Sequence, residues 1–259
     1  MQNNIFLGLF VGHTIVTLKE VDSTNNYIKQ GLSKSKPLAE GTVIMAEKQN
    51  AGRGQGHNSW LSQPNKNLTF SILLNPSFLT LNKQFELNKV MSLALNDILR
   101  KYFGDTATIK WPNDSYVGEN KIGGMLIETI VQGNDFKHAI IGIGLNVNQS
   151  NFPLSLRNPT SFNKMLHIKY DLHSLLIEIC ASVQARYFQL IAGRFSQLNA
   201  DYQSRLYQLN EWKSYKFEGN VQRAVIRGVS DQGFLQVDTE MGPKEFGLKE
   251  IEFINSIAT

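Results

Sequence analysis

Apolar positions recur along this chain at two spacings, and the switch between them marks out its elements. Residues 14–21, 42–47 and 68–74 are short runs rich in β-branched and aliphatic side chains, and each predicts a strand. Residues 23–32 follow a polar Asp-Ser-Thr-Asn start and predict a helix. Phe85, Leu87, Val90, Met91, Ala94, Leu95, Ile98, Leu99 and Tyr102 fall at helical spacing, which predicts an amphipathic helix over residues 85–103. Strands are expected next at 106–111, 122–131 and 136–147, with Pro-Asn-Asp and Gly-Asn-Asp supplying turn chemistry between them. Connections this short join antiparallel neighbours, so the sheet should be mixed and largely antiparallel, not doubly wound and parallel. A long helical stretch over 171–209 should bend or break near Gly193.

The character changes after Asn210. Strand-like runs at 215–218, 221–229, 234–239 and 244–248 are split by Gly219-Asn220, Asp231-Gln232-Gly233 and Met241-Gly242-Pro243. Turn signals at that spacing predict a small all-β barrel. The expected fold class is therefore α+β. A domain over residues 1–210, built on a mixed sheet flanked by helices, would be followed by a barrel domain over 211–259 that leans on it.

Composition narrows the function classes. Of the 259 residues, 42% are hydrophobic and 19% charged, which suits a globular chain and indicates neither disorder nor a fibrous repeat. No apolar run reaches the ~18–20 residues of a membrane span. The N-terminus has no basic residue ahead of its apolar stretch, so no signal peptide is read and the cytoplasm is expected. Cys180 is the single cysteine, and it sits among Leu175, Leu176, Ile179 and Val183 as a core residue would. The five histidines lack zinc-site spacing. A net charge of +4 invites a nucleic-acid reading, but the basic residues are dispersed, and the balance equally suits an enzyme that handles a triphosphate.

Four constellations could carry chemistry. Asp22-Ser23-Thr24-Asn25 opens a helix; it reads as an N-cap, or as a place where amides and hydroxyls meet a ligand oxygen. The run from Gln49 to Trp60 packs Gly52, Gly54 and Gly56 around Arg53, which suits either a surface loop or a backbone lying close to an anion. It has neither a Rossmann nor a P-loop spacing. Lys110-Trp111-Pro112-Asn113-Asp114 is turn chemistry, followed by Lys121-Ile122-Gly123-Gly124, where paired glycines in a strand suggest close approach of a ligand. In Gly142-Ile143-Gly144-Leu145-Asn146 the alternating glycines strip side chains from one sheet face, leaving room for a flat ligand or for another backbone.

In this order the strings AEKQNAGRGQG, KWPND, KIGGMLIE and GIGLNVN resemble the motifs of biotin–protein ligases, over nearly the whole chain. The resemblance implies a class II synthetase-like, biotin-ligase fold. It also implies an activity in which ATP converts biotin to biotinyl-5′-AMP, and biotin then passes to a lysine of a biotin carboxyl carrier protein. Ser23, Thr24 and Gln49 would hold the ureido ring of biotin, and Asn25, Gly52 and Gly54 would also contact biotin. Gly123, Gly124, Gly142 and Gly144 would form the sheet floor beneath its bicyclic ring and tail, with Trp60 as an apolar wall. Arg53 and Lys121 would be the catalytic cations at the biotin carboxylate and the α-phosphate. Gln55, Asn58, Lys110 and Asn146 would contact ATP or the adenylate, and Asn113 and Asp114 would lie near the phosphates and Mg²⁺. The loop departs from the family's fuller arginine pattern at Gln55, Gly56, His57 and Asn58, which bears on how the adenylate is retained.

Some members of that family are also repressors with an added helix-turn-helix domain. Only twelve residues precede His13, so a single-function enzyme without DNA binding, monomeric or homodimeric, is expected. A lipoate or octanoate ligase or transferase of the same fold is the nearest alternative, and a passive binder of biotin or nucleic acid the next.

Overall fold

A computed structural model describes residues 2–5, 10–33, 38–56, 58–133 and 135–254. His57 and Asn134 of the predicted loop and turn lie outside these residues. Eight strands form the larger sheet: β1 Gln2–Ile5, β2 Thr14–Leu18, β3 Val43–Ala46, β4 Leu68–Leu74, β5 Ala107–Lys110, β6 Asp114–Val117, β7 Asn120–Gln132 and β8 Asp135–Leu145. Their order is β1-β2-β3-β4-β8-β7-β6-β5. Only the β2–β3 pairing is parallel, so the sheet is mixed and largely antiparallel, as the short connections imply.

Helices cover both faces. On one face lies α2, Gln84–Phe103, which runs for twenty residues until Gly104 turns the chain at φ 61°. It packs against α4, Leu172–Ile191, and α5, Phe195–Ser204. The long helical stretch thus breaks at Gly193, which adopts φ 69°, a conformation that costs glycine little. A one-turn helix, α3, spans Phe162–Leu166. The strand residues facing this side, among them Val43, Phe70, Ile72, Ile141, Ile143 and Leu145, belong to the main core.

The opposite face is only partly covered. There α1, Thr24–Gly31, buries Ile28 against Val16, Leu18, Ile44, Leu73 and Ile140. Side chains alternate between faces along a strand, so Ser71 and Thr69 of β4 follow Leu73 onto this side, and Gly142 and Gly144 of β8 follow Ile140. That stretch of sheet lies beyond the small core and is where the cleft opens.

Five strands form the second sheet: β9 Trp212–Phe217, β10 Asn220–Val229, β11 Leu235–Thr239, β12 Gly242–Phe246 and β13 Ile251–Phe253. They pair antiparallel in the order β12-β11-β10-β9-β13. Where the turn spacing predicts a barrel, the described residues form an open sheet: the edge strands β12 and β13 do not pair with each other, and β13 has only three residues. Its apolar face, including Ala224, Ile226, Leu235 and Val237, joins the main core. The Trp111 indole N–H donates to the Gly233 carbonyl at 2.9 Å, which ties the Asp231-Gln232-Gly233 turn to the start of the Pro-Asn-Asp turn.

Candidate functional site

The cleft is a cavity of about 160 Å³ on the α1 face of the larger sheet. Its floor follows from register. Gly144 pairs with Thr69 on one side and Gly124 on the other; Gly142 pairs with Ser71 and Leu126. Directly paired residues share a face, so three glycines leave a patch of backbone without side chains. A methyl group added at Gly144 would overlap the indole of Trp60, and one at Gly142 would overlap the Asn25 amide. Gly123, by contrast, pairs with Leu145 and faces the main core, because a strand one residue out of step presents its other side.

One wall is the start of α1. Ser23 occupies the N-cap position with extended backbone, yet its side chain makes no capping bond. Gln49 does that work instead: its Oε1 accepts from the Thr24 N–H at 2.8 Å and lies 3.1 Å from the Thr24 hydroxyl. Ser71 Oγ lies 2.6 Å from Thr24 Oγ1 and donates to Asn25 Oδ1 at 2.5 Å. The Asn25 amide donates in turn to Glu128 Oε2 at 2.8 Å. Ser23, Thr24, Asn25 and Ser71 are all buried. The wall is therefore a continuous chain of neutral donors and acceptors, which suits a polar, uncharged ligand group.

The glycine-rich loop forms the opposing wall. It folds back on itself through Gly54 N–H to Asn58 O at 2.7 Å and Trp60 N–H to Gly52 O at 2.9 Å, with Gly56 turning at φ 65°. Gly52 permits the close approach of the Trp60 carbonyl, which a Cβ would block. Closing the loop in this way lays the Trp60 ring over Gly144, with its indole N–H buried and unpartnered. The loop also sets Arg53 against Glu128, at 2.6 Å.

At the other end, Lys121 Nζ pairs with Asp114 Oδ1 at 2.7 Å. Asn113 is buried; its side-chain amide donates to the Met125 carbonyl, and the Met125 N–H returns a bond to the Asn113 carbonyl at 3.0 Å. The Pro-Asn-Asp turn is thereby locked to β7. Both cations of the cleft thus carry a carboxylate partner.

Most of the residues singled out from sequence line this one cavity: Ser23, Thr24, Asn25, Gln49, Arg53, Gly54, Gln55, Asn58, Trp60, Asn113, Asp114, Lys121, Gly124, Gly142 and Gly144. Gly52, Lys110, Gly123 and Asn146 do not. Lys110 is turned toward the second sheet, 3.1 Å from the Tyr116 hydroxyl and over the Phe253 ring at 4.6 Å. Burial there lowers its pKa to about 8. Asn146 is buried, donates to the Thr160 carbonyl at 3.0 Å, and keeps an unpartnered Oδ1. Sequence reasoning missed Ser71 and Glu128. The signal for Ser71 was a lone hydroxyl inside the otherwise apolar run Leu68–Leu74, apart from Thr69.

With this geometry in place, comparisons with known proteins agree on one family. Residues 18–146 match the Biotin/lipoate A/B protein ligase family. The chain is 27% identical over 246 residues to the bifunctional ligase/repressor BirA of Bacillus spizizenii, covering 93% of this chain and 74% of that protein. It is 30% identical over 240 residues to the biotin–protein ligase of Homo sapiens, covering 88% of this chain but 32% of the human protein. The solved structure of the biotin protein ligase from Aquifex aeolicus in complex with biotin and ATP superimposes with a TM-score of 0.78 at 28% identity, over 93% of this chain and 99% of that one. Residues 18–146 of the chain form a domain of the Biotin/lipoate A/B protein ligase family.

Proposed function

We propose that this chain activates biotin with ATP to biotinyl-5′-AMP, releasing pyrophosphate, and transfers biotin to a lysine ε-amino group of a biotin carboxyl carrier protein. The observation that carries the reading is the patch of bare backbone at Gly124, Gly142 and Gly144, walled by neutral polar groups and rimmed by Lys121 and Arg53. A flat, neutral bicycle with a carboxylate tail fits such a cleft. The relatives bearing the biotin ligase name, and the Aquifex complex with both substrates, support biotin over lipoate.

In this reading the Thr24, Gln49, Ser71 and Asn25 chain meets the ureido group, and the glycine floor lies under the ring. The biotin carboxylate then attacks the α-phosphorus as the bond to pyrophosphate breaks. Two anions are forced together in this step. At 4 Å a unit pair repels by ~1 kcal/mol in water but ~4 kcal/mol at an effective dielectric near 20, so excluding water sharpens the need for fixed positive charge. Lys121 and Arg53, held at the cleft by Asp114 and Glu128, supply it. Trp60 and the loop exclude water from the mixed anhydride until a lysine amine attacks its acyl carbon and AMP leaves.

The residues at the Pro-Asn-Asp turn fit magnesium of one kind. Among the described residues no group of three His, Cys, Asp or Glu is placed to hold a metal ion. The single carboxylate of Asp114 beside the Asn113 amide suits an ion carried mainly by nucleotide phosphates. Asn113 and Asp114 are the residues that would hold it, and the ion supplies further positive charge to the phosphates.

The test is incubation with labelled biotin, ATP, Mg²⁺ and a carrier domain. Label on the carrier lysine is expected; pyrophosphate exchange driven by lipoate but not by biotin would overturn the assignment.

A further inference from the structure

Glu128 lies outside the cavity lining, yet it bridges the two walls. It shares the cleft face of β7 with Gly124 and Leu126, since each is two residues from the next. Its Oε2 accepts from Arg53 Nη2 at 2.6 Å and from Asn25 Nδ2 at 2.8 Å. Asn25 is held on its other side by Ser71 and donates weakly to the Leu126 carbonyl at 3.4 Å. One carboxylate oxygen therefore joins the loop, through Arg53, to the polar wall at the start of α1.

The loop needs such a joint. Its backbone bonds between residues 52 and 60 close it on itself, and three glycines make it costly to order. Among the described residues, the Arg53–Glu128 pair is the side-chain hydrogen bond that anchors the tip to the sheet. We infer that Glu128 is a positioning residue: it holds Arg53 at the cleft and, through Asn25, couples that hold to occupancy of the neutral wall. A ligand at Asn25 and an anion at Arg53 then meet two groups positioned by the same oxygen, so the two ends of the ligand are sensed together. The coupling to ligand rests on the function proposed above; the hold on Arg53 does not.

Glu128→Gln separates the two contacts. The amide oxygen can still accept from Asn25, while the guanidinium loses its charged partner. In the full-length protein without ligand, tryptic cleavage after Arg53 should accelerate roughly two- to fivefold, the loosening expected from losing one half-exposed ion pair. Cleavage at the wild-type rate would overturn the inference. In biotin-dependent pyrophosphate exchange, Glu128→Gln should raise the KM for biotin by a similar factor with kcat little changed. Glu128→Ala, which also frees Asn25, should raise it further. The effect of Glu128→Gln on KM should vanish in an Arg53→Ala background; an undiminished effect there would show that Glu128 acts elsewhere and would overturn the coupling. Should the wild-type protein show no biotin-dependent exchange, the proposed function fails, and the proteolysis result alone upholds or overturns the hold on Arg53.

Discussion

Lys121 and Arg53 are both partly exposed, with side chains 33% and 40% accessible, yet the cleft holds them in opposite ways. Lys121 opens β7, where its backbone N–H donates to Asn158 O and its carbonyl accepts from Thr160 N–H, both at 2.8 Å. Its ammonium is met by Asp114 from the neighbouring strand. Arg53 stands between two glycines on a loop whose bonds run mostly to itself, and is held by Glu128 across the cleft. Burial does not separate the two residues; anchoring does. A charge fixed by a sheet is in place before the reaction and stabilises its transition state without rearrangement. A charge on a loop can follow the intermediate and close over it.

The sharpest way to break this contrast is to remove the fixed charge. Lys121→Ala should lower biotin-dependent pyrophosphate exchange by roughly 10²–10³-fold, the usual cost of deleting a preorganised charge-stabilising donor. Near-normal exchange would place the chemistry elsewhere. Next is the floor that both cations overlook. Gly144→Val forces a branched side chain into the space of the Trp60 ring, an overpacking cost of about 1–3 kcal/mol. Biotin affinity measured by calorimetry should fall about tenfold or more, while circular dichroism shows a folded chain. Binding at wild-type strength would mean that the bare backbone is not the ligand floor.

Removing the charge on the loop should look different. Arg53→Gly should form the adenylate but release it about tenfold faster, as loss of one charge-assisted hydrogen bond predicts. Filter retention of labelled adenylate measures this. If exchange itself falls as steeply as in Lys121→Ala, the two cations share one role and the contrast is lost.

Part of this arrangement is legible in the chain and part is not. The period of Phe85 through Tyr102 locates α2 to within a residue, because packing and helix propensity agree there. Strand β6 is hidden: Asp114–Val117 reads as the tail of a turn, and only pairing with β5 and β7 makes it a strand. The glycines are visible as a pattern, but which of them share a face depends on register. Gly124 joins Gly142 and Gly144, whereas Gly123, its neighbour, looks into the core. Glu128 closes the KIGGMLIE run and reads as an ordinary polar strand residue. Its meaning comes from Asn25 and Arg53, which lie 103 and 75 residues away in the chain.

The smallest expected effect probes the neutral wall. Ser71 is fully buried on the cleft face of β4, and its single hydroxyl proton goes to Asn25 Oδ1, an atom with none to offer. Thr24 Oγ1, 2.6 Å away, must then point its own proton at Ser71 or share it with Gln49. Ser71→Ala leaves the buried Asn25 oxygen without that donor, at a cost of about 1 kcal/mol. For a chain of this size the melting temperature should fall by about 2–4 °C. Biotin binding should weaken only a few-fold, because Asn25 keeps its bond to Glu128, and the tryptic rate at Arg53 should not change. A large rise in that rate would mean that the wall steers the loop through Ser71 as well as through Glu128. The sheet-borne and loop-borne halves of the cleft would then be a single unit.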